Sequence, residues 1–283
     1  MDCTILVPTH NLVPVNIFKT VIDNVLSQVE SDGLDVELVI VSHYPVTDEY
    51  KSVDLPIVAL SGHEGIGDAI VKNPILSVRN CNIPVRNFVV GERAYSLETI
   101  YAQLMLGLEH ALCENIVIVE HDVLYPSGYF RSMIDALNSG VDFCCWRNCS
   151  FFCRYGFYEV PRSLAFSRFS FKSHFLSRFI SSVSQEEMLV MEPEIDLDCG
   201  AFSSGEHGIY DDYGINAKYT ILEGEDVLDV KHGLNSSGNV FVENYEENHP
   251  YWGNEKKWLN LIGDDFDQVA LSNPIYAYGL FLE

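Results

Sequence analysis

The chain reads as an α/β protein with a mostly parallel, Rossmann-like sheet flanked by helices, and three observations predict this. Short apolar runs with the composition of doubly buried strands recur at Asp2 to Val7, Val36 to Val41 and Ile116 to Val119. Stretches of helical period lie between them. No internal repeat, low-complexity segment or Pro/Gly/Ser-rich linker divides the 283 residues, so one domain is expected. Sheets of this kind bind their ligands beyond the carboxyl ends of the strands.

The elements follow in order. Asp2 to Val7 is a strand that Pro8 breaks, after which Ile17, Phe18, Val21, Ile22, Val25 and Leu26 recur with helical spacing. Val36 to Val41 is a second buried strand and Ile57 to Leu60 a shorter third. Between Ser61 and Tyr95 the pattern is irregular; the glycines from Ser61 to Gly67 read mainly as a turn, because no helix evidently follows them. Thr99 to Leu112 carries a stripe of Ile100, Leu104, Leu108 and Leu112, and Ser127 to Leu137 turns Phe130, Met133, Ile134 and Leu137 inward. Phe143 to Trp146 resembles a strand, and Leu164 to Ile180 reads as a partly exposed helix. Tyr219 to Leu222 and Val227 to Val230 read as two strands joined by an acidic, hairpin-like turn, Glu223 to Asp226. The C-terminal portion is irregular and acidic.

Composition narrows the classes. With 47% hydrophobic and 20% charged residues the chain is ordinarily globular, and no apolar run is long enough to span a bilayer. MDCTILVPTH lacks the basic flank and cleavage site of a signal peptide, so a cytoplasmic location and no membrane partner are expected. Eight cysteines should then be reduced; Cys144, Cys145, Cys149 and Cys153 cluster without the paired spacing of a zinc knuckle and read as core. A net charge of -24 repels nucleic acid or an anionic membrane taken as a whole. Against it stands a basic island of Arg147, Arg154, Arg162, Arg168, Lys172 and Arg178, which either faces a phosphorylated ligand or balances the acidic tail.

The chemistry concentrates where the run Ile116 to Val119 ends in Glu120-His121-Asp122. If the backbone stays extended, Glu120 and Asp122 share one side and His121 points away, a geometry that suits one hard cation, Mn2+ or Mg2+, held against a diphosphate. The plainer reading is two solvated carboxylates in a turn.

Four segments in order carry a family resemblance: Ile5 to Asn11 (ILVPTHN), Val39 to Ser42, Glu120-His121-Asp122, and Asp229-Val230-Lys231-His232-Gly233. With them the chain resembles a GT-A-fold glycosyltransferase, close to the family-two-like enzymes encoded by tailed bacteriophages, from Thr4 to about Trp258. The resemblance implies transfer of a sugar from a nucleotide-sugar, a UDP-sugar in the first place, to an acceptor hydroxyl. Residues 1–125 then form the nucleotide-binding half and 126–283 the acceptor half with a C-terminal extension. By resemblance Asp122 binds the metal, Glu120 reaches ribose or the metal's water shell, and His232 supplies a late metal ligand. Pro8, Thr9 and His10 line the base pocket and His121 adjoins the donor. Ser42 stands where many members carry an aspartate gripping base or ribose, which leaves the donor open.

Tyr95, Ser96 and Tyr101 occupy donor-contacting places without the usual Arg/Asn signature and read first as core or capping residues. The family places a general base between the two metal motifs. Glu192, preceded by MLVM and followed by Pro193, is the acid best placed to be partly buried there, ahead of Glu194, Asp196, Asp198, Glu206, Asp211 and Asp212. His249-Pro250-Tyr251-Trp252-Gly253 resembles a late motif of the phage relatives and reads as an anchor for the C-terminal segment before a stacking platform for a sugar. The implied acceptor is a hydroxymethylated pyrimidine in phage DNA or a sugar already on it, or else a glycan or small molecule. Two other classes stand beside this reading. A nucleotidyltransferase would need a Gly/Lys/Arg-rich loop after the first strand, and Pro8 to Val15 has neither glycine nor a basic residue. A non-catalytic nucleotide or glycan binder would keep the fold and lack the base.

Overall fold

The computed structural model describes residues 1–11, 13–48, 50–53, 83–91, 93, 97–153, 156–159, 168–182, 218–230 and 246–262. The first part runs β1 (Cys3–Thr9), α1 (Val15–Asp32), β2 (Val36–Ser42), β3 (Tyr50–Ser52), β4 (Val85–Val89), α2 (Leu97–His110) and β5 (Asn115–Ile118). Then come β6 (Val123–Leu124), α3 (Tyr129–Asn138), β7 (Phe143–Trp146), β8 (Cys149–Cys153), β9 (Gly156–Glu159), β10 (Arg168–Lys172) and α4 (Ser173–Ser182). Last are β11 (Tyr219–Leu222), β12 (Val227–Val230), β13 (Asn248–His249), β14 (Gly253–Asn254) and α5 (Glu255–Ile262).

The expected mostly parallel sheet is present. Its eight strands lie in the order β11, β7, β10, β5, β1, β2, β4, β3, and only β10 runs against its neighbours. β1 and β2 are apolar on both faces because helices cover both. Ile17, Phe18, Val21, Ile22, Val25, Leu26 and Val29 of α1 pack in one core with Ile5, Val7, Leu38 and Ile40. On the other face, Leu104 of α2 and Phe175 and Leu176 of α4 share a core with Leu6, Val39, Val41 and Ile116. α1 stops at Gly33, whose φ of 60° is the left-handed conformation that closes a helix and costs a glycine least.

At the amino ends of the strands a fully buried carboxylate ties the layers together. Glu37 of β2 accepts hydrogen bonds from Thr4 Oγ1 (2.6 Å), from the Leu112 amide (2.6 Å) and from the Arg86 guanidinium of β4. Arg86 also donates to the His110 carbonyl at the end of α2, so one ion pair holds β1, β2, β4 and the α2–β5 turn. A second sheet, in the order β6, β12, β8, β9, sits against this scaffold, and β13 pairs with β14.

Four expectations need correction. Pro8 does not end β1, which continues to Thr9. Leu6 accepts a hydrogen bond from Val119 on the β5 side, and Pro8, two residues on, faces that same side just where the ladder has stopped, so its missing N–H is not needed. Leu164 to Ile180 is not one helix: β10 occupies Arg168–Lys172 between β5 and β7, and the alternation of Phe169 and Phe171 around buried Ser170 is its period-two signature. β11 and β12 are not a hairpin. The first pairs with β7 and the second with β8 and β6, so the acidic turn carries the chain from one sheet to the other. At that turn Gly224 lies against Trp146, where a Cβ would stand 2.3 Å from Cζ2, and Trp146 Nε1 donates to the Glu225 carbonyl. Finally, β4 went unrecognised in a stretch that reads as irregular. Its Arg86 and Asn87 are tolerated in a strand because Glu37 and Ser42 satisfy them. The expected strand at Ile57 to Leu60 and the turn from Ser61 to Gly67 lie outside the described residues.

Replacing Glu37 by alanine should lower unfolding free energy by about 3 kcal/mol, the low end for breaking a buried ion pair because Arg86 keeps some solvent access. Urea denaturation of the variant checks this; a loss under about 1 kcal/mol, the size of a surface pair, would assign the anchoring elsewhere.

Candidate functional site

Strand order reverses beside β1: the chain passes from β1 to β2 and β4 on one side, and β5 is inserted on the other. In open α/β sheets such a reversal leaves a crevice at the carboxyl ends of the two strands. Here β1 pairs with β5 only through Leu6, and one further hydrogen bond, Val119 N–H to Leu6 carbonyl at 2.9 Å, closes the ladder. Pro8, Thr9 and His10 lie beyond it at the end of β1, and Glu120, His121 and Asp122 beyond it in the segment that follows β5.

Neutral side chains fix the β1 end. The Asn11 amide donates to Thr9 Oγ1 (3.1 Å), a local turn that leaves Asn11 at a φ of 62°, a left-handed conformation asparagine tolerates. Its side chain then bonds both backbone groups of Tyr44, at 3.0 Å each, fastening the loop after β1 to the loop after β2. Gln103 of α2 donates to the carbonyls of Thr9 and Val41. Ser42 is fully buried and its hydroxyl accepts from Asn87 Nδ2 at 2.8 Å, while Asn87 Oδ1 takes the Val46 amide. The Ser42 hydroxyl is thus engaged inside the sheet.

The β5 end departs from the extended geometry expected of it. β5 stops at Ile118, and Glu120 to Val123 form a turn closed by a long Val123 N–H to Glu120 carbonyl contact of 3.5 Å. Alternation therefore no longer decides which way the side chains face, and His121 does not point away from Asp122. Its Nε2 lies 4.0 Å from Asp122 Oδ2, and its ring meets the ring of His10 edge-on with centroids 4.5 Å apart. His10 and Asp122 are both buried, so two imidazoles and a carboxylate from two strand ends converge.

Behind them, the Glu120 amide donates to the hydroxyl of fully buried Tyr125 (2.9 Å). Asn24 and Gln28 of α1 in turn bond the Tyr125 backbone, through its amide and its carbonyl. Asn11, Asn24, Gln28, Asn87 and Gln103 are positioning residues that the sequence alone did not single out, since an Asn or Gln near a strand end carries no periodic signal.

β12 reaches this turn from the second sheet. It runs antiparallel to β6, with Asp229 opposite Val123, and the Val230 amide donates to the Asp122 carbonyl at 2.9 Å. Among the described residues no three His, Cys, Asp or Glu side chains are grouped to hold a metal ion. His121 and Asp122 form a pair of the right donor types for a divalent cation, and a third protein ligand would have to come from elsewhere. His232, Glu192, Tyr95 and Ser96 lie outside the described residues. Tyr101 is buried in the core beneath α2.

Burial pushes the Cys145 thiol up to about 12 and the Cys144 thiol higher still, which keeps both protonated and unreactive. The His249 to Gly253 motif is an anchor. His249 Nδ1 accepts the amides of Tyr251 and Trp252, its Nε2 faces Ser150 and Asp226, and Trp252 Nε1 donates to the Asp226 carbonyl. The Tyr251 hydroxyl accepts from the Ser127 amide just before α3. Of the basic island, Arg147 faces Glu223 at 3.6 Å and Lys172 bonds Asn115. No helix among the described residues is long and apolar enough to cross a membrane.

No family model matches the chain, and no curated protein matches it in sequence. Solved structures do. S. aureus TarS 1-349 superposes with a TM-score of 0.50 at 12% identity, over 81% of this chain and 60% of that one. Its complex with UDP gives 0.47 at 14% identity over the same shares. A protein of Desulfovibrio desulfuricans G20 held to be a nucleotide-diphospho-sugar transferase gives 0.44 at 12%, over 92% of this chain and 96% of that one. The chain thus spans 60% of the length of TarS 1-349. At these identities the likeness is one of fold: a GT-A-like α/β fold.

His43, directly after β2, supplies a pH test of how this end is packed. Burial, helped by the nearby Arg93 charge, lowers its imidazole from the ordinary 6.5 to about 4. The folded state then holds its proton less tightly than the unfolded chain, so its contribution is complete above pH 6.5, declines as pH falls and is gone near pH 4. The difference in unfolding free energy between wild type and His43→Phe should shift by about 3 kcal/mol across that window. Paired denaturant titrations at pH 7 and pH 4 measure it, and a pH-independent difference would mean that His43 is not buried as a neutral group.

Proposed function

We propose that the protein is a glycosyltransferase that moves a sugar from a nucleotide-sugar, a UDP-sugar first among them, to an acceptor hydroxyl with the help of Mn2+ or Mg2+. The observation that carries this reading is the meeting of buried Asp122 with the end of β12 at the strand-order reversal. His232 follows Val230 by two residues in the sequence, and the Val230 amide is the group that bonds the Asp122 carbonyl. Asp122 and His232 are the metal ligands of this proposal, with Glu120 on the metal's water shell or the ribose. A divalent cation bound there supplies positive charge to the diphosphate as it departs.

The chain's own residues do the rest. The Tyr125 hydroxyl and the Asn24 and Gln28 side chains hold the Glu120 to Asp122 turn in one place, which such positioning demands. Pro8, Thr9 and His10 are assigned to the base pocket and His121 to the donor's phosphate side. Ser42 is assigned to the wall of that pocket through its backbone, since its hydroxyl is already engaged. Glu192 is proposed as the base that takes the proton from the acceptor hydroxyl. The acceptor is a hydroxymethylated pyrimidine in DNA, a sugar on it, or a glycan. The GT-A-like fold supports the reading at the level of architecture.

Incubation with nucleotide-sugars and manganese should release nucleoside diphosphate slowly, by transfer to water, and faster with the right acceptor. Absence of release from any donor, with binding retained, would favour a non-catalytic binder. Release of pyrophosphate from a nucleoside triphosphate and a sugar phosphate would favour a nucleotidyltransferase. Asp122→Asn should abolish the manganese-dependent part of the thermal shift produced by UDP and leave the unliganded melting point nearly unchanged, because the amide keeps the shape of the carboxylate. An unaltered metal response would remove Asp122 from the site.

A further inference from the structure

The C-terminal anchor holds its histidine in one protonation pattern. His249 Nδ1 accepts the backbone amides of Tyr251 and Trp252, both at 3.1 Å, so that nitrogen presents its lone pair. A neutral imidazole then carries its proton on Nε2. Nε2 lies 3.2 Å from the hydroxyl oxygen of fully buried Ser150 and 3.5 Å from Asp226 Oδ2. The Ser150 hydroxyl donates to that same carboxylate oxygen. Every direction in the series is therefore set: Nε2–H donates to Ser150 Oγ, and the Ser150 O–H donates to Asp226. The imidazole itself is buried, with the ring of Phe157 centred 5.5 Å from it.

A histidine that only closed the turn before α5 would need no more than its two amide bonds. This one reaches on to the residues that fix β12. Ser150 belongs to β8, where it pairs with Leu228, and Asp226 immediately precedes β12, its carbonyl taken by Trp252 Nε1 at 2.9 Å. Four residues after Asp226, the Val230 amide donates to the Asp122 carbonyl. β12 is an extended segment paired on both edges, with β8 and β6, so a displacement of its start is passed along it to its end. We infer that His249, in its Nε2–H form, is a positioning residue for the Glu120 to Asp122 turn, acting through Ser150, Asp226 and β12. The inference rests on the glycosyltransferase reading above for what the turn binds, and on the hydrogen bonds alone for how the turn is held.

The test is calorimetric titration with UDP in the presence of manganese, well below the melting point of every variant, of wild type, His249→Asn, Ser150→Ala and the double variant. Asparagine keeps an acceptor for the two amides but is too short to reach Ser150; alanine removes the middle of the series and leaves the imidazole in place. Each single variant should bind about fivefold more weakly, and the double variant about as weakly as the weaker single one, not by the roughly 25-fold product of independent losses. In long-range proton–nitrogen spectra of the wild type, His249 should carry its proton on Nε2 and none on Nδ1. A histidine that merely anchors would lower the melting point of the variants and leave the affinity of the folded protein unchanged, and that result overturns the inference. So do losses that multiply in the double variant, or a proton on Nδ1. Should His249→Asn fail to fold, the Ser150→Ala titration and the spectrum decide by themselves. A wild-type protein that binds no UDP with manganese overturns the donor reading and this inference together, whereas wild-type binding that Asp122→Asn weakens and these variants do not overturns this inference alone.

Discussion

The ladder on the β5 side of β1 stops at the hydrogen bond from Val119 to Leu6, and the open end beyond it is the constraint around which the site is built. A strand in the middle of a sheet ordinarily has both edges occupied to its end. Here β1 outruns β5, and proline stands at the first position whose N–H would have pointed into the gap. The same gap lets the chain after β5 leave the sheet as a turn, so that Asp122 and His121 gather beside His10 instead of continuing along a strand.

What holds the gap open is almost wholly uncharged. Asn11, Asn24, Gln28, Asn87 and Gln103 each bond backbone groups at strand ends, and an amide side chain suits this because it carries donor and acceptor together. Charged side chains in the same places would either need partners or impose their own field on the crevice. The buried ion pair of Glu37 and Arg86 lies at the opposite ends of the strands, where it secures the sheet without acting on the site. The separation is physical: the buried ion pair lies at the amino ends, and His10, His121 and Asp122 gather at the carboxyl ends.

The second sheet makes the site a long-range object. β6 is two residues long and would not persist alone; its pairing with β12 brings a segment more than a hundred residues away to the Asp122 backbone. β12 is fixed in turn by β8 and, through Asp226, by His249 and Trp252 of the C-terminal anchor. Tyr251 reaches the start of α3 from the same anchor. Residues far from the crevice in sequence therefore set how firmly its floor is held.

The apolar runs of β1, β2, β5 and β7 and the stripes of α1, α2 and α3 were legible in the sequence, except that Leu112, expected on the α2 stripe, lies past the end of that helix and is exposed; burial on one face or on both leaves a periodic trace that needs no knowledge of partners. The location of Glu120 to Asp122 at a strand's carboxyl end was legible for the same reason, as was the anchoring role of Tyr251 and Trp252. Only the tertiary structure decided that this motif turns and brings His121 toward Asp122, that β10 is a strand, that β11 and β12 belong to different sheets, and that Arg86 and Asn87 lie within one. In each case the outcome depends on partners distant along the chain: Phe143 for β10, Trp146 for Gly224, Glu37 and Ser42 for the polar residues of β4. Local composition records how much of a residue is to be buried; it does not record against what, and hydrogen-bond satisfaction is decided by the latter.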